Sequence, residues 1–223
     1  MIRRAEECDV FILKKHLAEN QFHNPYFYID INMFGYRSDV IDTFVIEGCT
    51  QIYGYIYKYF NSLQLFIMDT YRDFNELTEF ILNSNAVMIS GSAAIIKCLS
   101  GKLINRYTSD YGVIMSYEGT TENAIGSVEL ANEDKCLEIA QLICSDNSIG
   151  GHYETEILEK QLIERMSLYN CKNVYVSMDG RIVSHAATYA DDGNLAIIGG
   201  VITLDKYRGL GLGKKVVKGL CDM

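Results

Sequence analysis

Apolar residues recur along this chain in two rhythms, and each change of rhythm marks an element. Across residues 6–19 the repeat of Val10, Leu13 and Leu17, with Ile12 and His16 beside them, is helical. Asn24-Pro25 reads as a stop, because proline lacks an N–H and restricts the residue before it. The period then falls to two. Residues 43–47 and 51–60 predict strands, the second alternating Ile52, Gly54, Ile56 and Lys58 with tyrosines at 53, 55, 57 and 59. Asn61-Ser62 turns that run into residues 63–67, a hairpin or meander. Residues 74–82 suit a short helix and 86–90 a buried strand. Gly91-Ser92 opens a helix over 93–99, and 111–117 reads as another strand.

Around residues 119–126 the chain turns polar, and the domain boundary is placed there: residues 1–122 form an N-terminal α/β domain, and 123–223 a second domain. Beyond it the rhythm is clearer. A short strand over 127–131 leads to Asn132, a plausible N-cap, with Glu133 and Asp134 in the first turn. Cys136, Ile139, Ala140 and Ile143 form that helix's apolar stripe. A second stripe runs through Leu158, Leu162, Met166 and Leu168 or Tyr169. Strands are predicted over 173–178, 182–189 and 195–204, joined by Asp179-Gly180 and Asp191-Asp192-Gly193, which are hairpin turn residues. The order from residue 127 is β-α-α-β-β-β-α. It predicts an α/β (α+β) protein with a mixed, mostly antiparallel central sheet flanked by helices.

Composition narrows the function classes. The 223 residues are 48% hydrophobic and 22% charged, an ordinary globular balance long enough for one large domain or two of about 100 residues. A net charge of −9 argues against nucleic acid as a partner. No apolar run approaches the roughly 20 residues of a membrane span, and the charged N-terminus does not read as a signal peptide. Seven scattered cysteines without a CxxC pair suggest neither a disulfide framework nor a metal site. A cytoplasmic protein with reduced thiols is the expectation.

The candidate chemistry lies in residues 201–217. Here a strand stops, a glycine-rich turn follows, and a helix is entered near Gly211. Such a turn aims unpaired N–H groups of a first helical turn at one point, where the helix dipole favours an anion. Gly209, Gly211 and Gly213 permit close backbone approach and positive φ. Between Thr203 and Lys218 the acid Asp205 stands against Lys206, Arg208, Lys214, Lys215 and Lys218, so an acidic chain carries a local anion site suited to a pyrophosphate. The G-x-G-x-G spacing is not the dinucleotide fingerprint, and no G-x-x-x-x-G-K-[ST] run is present.

Arg208-Gly209-Leu210-Gly211-Leu212-Gly213 resembles the Arg/Gln-x-x-Gly-x-Gly/Ala signature of the GNAT acetyltransferases, at the place that family puts it, between the fourth strand and the third helix. The approach through Val201, Thr203, Asp205 and Tyr207 is similar to the family's, with Thr203 and Asp205 standing for its usual valine and proline. The resemblance implies a GNAT-like acyl-CoA N-acyltransferase fold and acetyl-CoA as co-substrate, with no metal. It implies that the amides from Arg208 through Gly209, Leu210, Gly211 and Leu212 to Gly213 cradle the pyrophosphate, with Lys214 neutralising it. Val201 and Thr203 would pair with pantetheine, and the Val201 N–H would polarise the thioester carbonyl. The reaction implied is direct attack by a small amine or a peptide amine.

Two departures accompany the resemblance. Where many members carry a basic glutamate, this chain has Asn194, Leu195 and Ala196. Asp191, Asp192, His185 and Glu154 are the substitute candidates, each also readable as a turn former, a core histidine or a helix-start charge. The family's later strands and its tyrosine acid are expected after the third helix, where the chain reaches Met223, so the second domain reads as cut short. Residues 1–122 are expected to be a degenerate GNAT-like domain in a tandem form, with Ala86–Ser92 as the nearest counterpart of the turn, no CoA, and a substrate-selecting or dimerising role. The tyrosines at 53–59 read as packing or as an acceptor pocket. The alternative to catalysis is a protein that senses or holds acyl-CoA without turnover.

Overall fold

The computed structural model describes residues 1–117, 128–147, 149–151 and 153–223, with the side chain of Leu168 excepted. The polar boundary at 119–126, the start of the strand expected at Ser127, and the place of Leu168 in its stripe lie outside these residues. The described chain forms two compact units, Met1–Ser116 and Tyr117–Met223. No described helix is long and apolar enough to cross a membrane.

The first unit runs β1 (Ile2–Arg4), α1 (Glu7–Glu19), α2 (Pro25–Phe34), β2 (Ile41–Glu47), β3 (Ile52–Tyr59), β4 (Ser62–Ile67), α3 (Phe74–Asn83), β5 (Met88–Gly91) and α4 (Ala93–Leu103). The sheet order is β1-β2-β3-β4-β5, antiparallel except for the parallel β4–β5 pair. Alternation along β3 divides its side chains between two cores, as a two-residue period requires. Tyr55 and Tyr57 pack with Leu13, Leu17, Phe27 and Ile31 from α1 and α2, while Ile56 joins Leu63, Leu77, Ile81 and Leu99 beneath α3 and α4. The tyrosine run is therefore packing: Tyr55 and Tyr57 are fully buried, Tyr53 lies against Tyr71, and Phe34 stacks on Tyr59.

Three expectations change here. Asn24-Pro25 is a start: Pro25 is the first residue of α2, where the missing N–H would have no intrahelical partner anyway. α2 itself, PYFYIDINMF, shows no clean helical stripe, and its apolar packing with Phe27, Ile29 and Ile31 overrides its β-branched and aromatic composition. The strand at 86–90 is β5, an edge strand whose residues are mostly exposed. Residues 111–117 form no strand: none of the described strands pairs with them, and Tyr111, Val113, Ile114, Met115 and Tyr117 are exposed.

The second unit runs β6 (Glu129–Leu130), a 3-10 turn (Glu133–Lys135), α5 (Cys136–Cys144), α6 (Thr155–Leu168), β7 (Asn173–Met178), β8 (Arg181–Asp191), β9 (Ala196–Thr203), a second 3-10 turn (Asp205–Tyr207) and α7 (Leu212–Cys221). Its sheet, β6-β7-β8-β9, is antiparallel throughout. Cys136, Ile139, Ala140, Ile143, Leu158 and Leu162 bury the stripes of α5 and α6 against one face. Val216 and Leu220 of α7 pack on Val174, Val176 and Ala186 on the other. Asp179 and Gly180 both take positive φ, 53° and 75°, the two-residue hairpin geometry their sequence predicts. Thus both units share the order β-α-α-β-β-β-α and an antiparallel four-strand run.

Candidate functional site

Between β9 and α7 the chain changes direction through Leu204–Gly211. The Tyr207 N–H donates to the Leu204 carbonyl at 2.8 Å, and Tyr207 is buried, which anchors the turn. Gly209 and Gly211 take φ of 80° and 77°, and Gly211 is the N-cap of α7 in the left-handed conformation. A side chain there would cost about 1–2 kcal/mol, and neither glycine has any atom within 4 Å of where a Cβ would stand. The glycines therefore serve backbone conformation and leave the surface before the helix open.

Among the described residues no acceptor takes the backbone N–H groups from Gly209 to Lys214. α7 has no acid in its first turn and no side-chain cap. Six consecutive donors stand at the positive end of a ten-residue helix, with exposed Lys214 beside them, an arrangement that favours negative charge. Arg208 belongs to its frame. Its own N–H donates to Asp205, its Nε donates to the Thr203 carbonyl at 3.0 Å, and its Nη2 pairs with Asp146 at 2.8 Å and Asp205 at 3.0 Å. The guanidinium thus ties β9 and the second 3-10 turn to the loop after α5. These residues line a cleft of about 600 Å³ with Ser145, Asn147, Ile202 and Leu204.

Upstream, β9 is the outer strand among the described strands of its sheet, and its ladder to β8 is broken twice. Register passes from Ile202–His185 to Gly199–Ala187, so Gly200 and Val201 have no β8 partner; Gly200 has φ 59° and Val201 is exposed. Such a bulge re-aims backbone groups away from the neighbouring strand. The second break leaves Tyr189 of β8 unpaired between Thr188 and Ala190. Thr203 is half-buried, its hydroxyl 2.8 Å from the Ser184 hydroxyl.

The four base candidates are placed apart from one another in role. His185 is fully buried, with Nδ1 3.0 Å from the Gly200 carbonyl and Nε2 3.0 Å from the Asn173 amide. Burial pulls its pKa down to about 4. Asp191 accepts the Gly193 N–H at 2.9 Å and pairs with Lys172 at 3.6 Å. Asp192 accepts the N–H groups of Asn194 and Leu195. Asp191 stands opposite Ala196, five residues before Val201, about 16 Å along the strand. Glu154 is an exposed N-cap of α6 whose side chain makes no cap bond.

A sequence comparison matches residues 136–223 to the acetyltransferase (GNAT) family. Residues 136–223 are a GNAT acetyltransferase domain. No curated protein matches the chain. Among solved structures, a Drosophila melanogaster protein superposes with a TM-score of 0.61 at 11% identity, covering 98% of this chain and 83% of that one. A tandem GNAT protein from the clavulanic acid biosynthesis pathway superposes with a TM-score of 0.54 at 8% identity, covering 100% and 84%. At these identities the likeness is one of fold.

The GNAT domain also exposes a signal that the pattern reading passed over. Leu204-Asp205-Lys206-Tyr207-Arg208 has a counterpart in Met68-Asp69-Thr70-Tyr71-Arg72, which follows β4 as the other follows β9. The backbone turn is the same: the Tyr71 N–H donates to the Met68 carbonyl at 3.0 Å, as Tyr207 does to Leu204. The counterpart of the anion turn in the first unit is therefore the β4–α3 link. Gly91-Ser92 instead follows the parallel strand β5, and the Ser92 hydroxyl caps α4. After Arg72 the glycines are gone. Asp73 caps α3 by accepting the Glu76 N–H at 3.2 Å, and Glu76 adds a second acid in that first turn.

Proposed function

We propose that this protein transfers an acetyl group from acetyl-CoA to a primary amine. The observation that carries the reading is the row of unpaired N–H groups from Gly209 to Lys214 at the start of α7, in a GNAT domain. The amides of Gly209, Leu210, Gly211, Leu212 and Gly213 bind the pyrophosphate, Lys214 adds charge, and Arg208 holds the turn rather than the ligand. Pantetheine lies along the open edge of β9 at Val201 and Thr203, pairing with backbone as an added strand would. The Val201 N–H, in the stretch the β8 ladder bypasses, donates to the thioester carbonyl and to the oxyanion that forms from it. The amine nitrogen bonds to that carbon, the C–S bond breaks, and the proton lost by the amine ends on the departing thiol.

The positions of the base candidates favour a second reading, in which acyl-CoA is held without turnover. Asp191 and Asp192 are engaged in the β8–β9 turn, and His185 is buried and bonded at both nitrogens. On the transferase reading the amine arrives neutral or loses its proton to water in the cleft.

Gly213→Asp separates charge from folding. A Cβ at Gly213 would meet only the Thr203 hydroxyl at 3.6 Å, an ordinary contact, and an acid in a first helical turn suits the helix. Calorimetric titration should show acetyl-CoA binding to the wild type and binding weaker by at least roughly tenfold in this variant. Equal affinities would remove the turn from the donor site. Release of free thiol with an amine distinguishes transfer from holding.

A further inference from the structure

Tyr189 and Arg165 are absorbed by nothing described so far, yet they stand at the bulge. The Tyr189 ring lies across Gly199 and Gly200. A Cβ on Gly199 would be 2.7 Å from ring carbons Cδ2 and Cε2, and one on Gly200 would be 2.7 Å from the hydroxyl. Two adjacent glycines therefore make the bed for this ring, and its hydroxyl sits beside the residue that precedes Val201. The Arg165 guanidinium carbon lies over the same ring, 5.2 Å from its centroid. Arg165 is half-buried in α6, and among the described residues it makes no ion pair. The nearby charges Lys172 and Asp191 pair with each other, which leaves the arginine as a local surplus of one positive charge.

A guanidinium stacked on an aromatic face keeps its N–H edge free, and that edge matches a carboxylate in two parallel hydrogen bonds. We infer that Arg165 and Tyr189 form the acceptor subsite, and that the preferred acceptor amine carries a carboxylate of its own, as an amino acid does. The guanidinium and the bulge both lie against the Tyr189 ring, so amine and carboxylate belong to one small molecule. The inference rests on the acetyltransferase reading and names its acceptor class.

The test uses the full chain, acetyl-CoA, and a panel of amino acids with their amides and the matching amines without a carboxylate, read as thiol release. Wild type should use the amino acids over their amides by roughly tenfold or more in kcat/KM, chiefly through KM. Arg165→Gln should bring that ratio close to one, and Arg165→Lys should restore part of it. Acetyl-CoA affinity, measured on each variant by calorimetry, tells loss of the subsite from loss of the fold. Equal use of acids and amides by wild type, or a preference that survives Arg165→Gln with acetyl-CoA still bound, overturns the inference. Thiol release from no acceptor at all overturns the acetyltransferase reading itself, and this inference with it.

Discussion

His185 joins three strands from inside the sheet. The Gly200 carbonyl can only accept, so Nδ1 donates to it, while Nε2 stands 3.0 Å from the side-chain amide oxygen of Asn173. The residue thereby braces the bulge next to Val201, which gives a buried imidazole a structural reason to exist. Its ordinary pKa of 6.5 is lowered to about 4 by burial. Folding therefore favours the neutral ring: the contribution to stability is full above 6.5 and is lost as pH falls through about 4. The unfolding midpoint of wild type should drop over that window relative to His185→Gln, which has no ring to protonate. A difference between the two that is constant from pH 7 to pH 4 would show that the ring is not the source.

At the scale of elements, two helices of like position differ in what stands at their starts. α7 is entered through two positive-φ glycines with its first N–H groups open, whereas α3 is entered through Asp73, whose carboxylate already occupies one of them. Asp73→Ala should cost the first unit about 1 kcal/mol, the usual worth of an N-cap, seen as a lower denaturant midpoint. A neutral result would mean that the cap bond is replaced by water. The same contrast explains why the turn was legible in the chain and its counterpart was not. Glycine spacing and basic residues announce a helix start left open for an anion. A capped start such as Asp73-Phe74-Asn75-Glu76 reads like any other, and only its equal place in the order of elements makes it comparable.

For the molecule as a whole, a shared order of elements does not carry a shared chemistry. The first unit repeats the strand-and-helix plan and even the Asp-x-Tyr-Arg sequence, but two acids stand where the second unit offers free donors. On the proposed function, an anionic ligand is repelled at the one and held at the other. Titration of the full chain with acetyl-CoA should accordingly saturate at one equivalent, and Gly213→Asp should weaken that event without exposing a second. A stoichiometry of two would mean that the first unit binds the donor through some other surface.

The sequence by itself determined most strands and most helices, because periods of two and 3.6 survive wherever one face is buried and the other is not. It also determined the glycine turn before α7, because glycine takes positive φ without steric cost and no acid stands in that helix's first turn. Tertiary structure decided the rest. α2 has no helical stripe and is helical because Phe27, Ile29 and Ile31 find a core, and residues 111–117 read as a strand but have no partner among the described strands. It also decided which charged residues are at liberty. Arg208 looked like a ligand for phosphate and is held by Asp146 from another loop, while Arg165 lies over the Tyr189 ring and makes no ion pair among the described residues. Partners distant in the chain set those roles, and no local spacing records them.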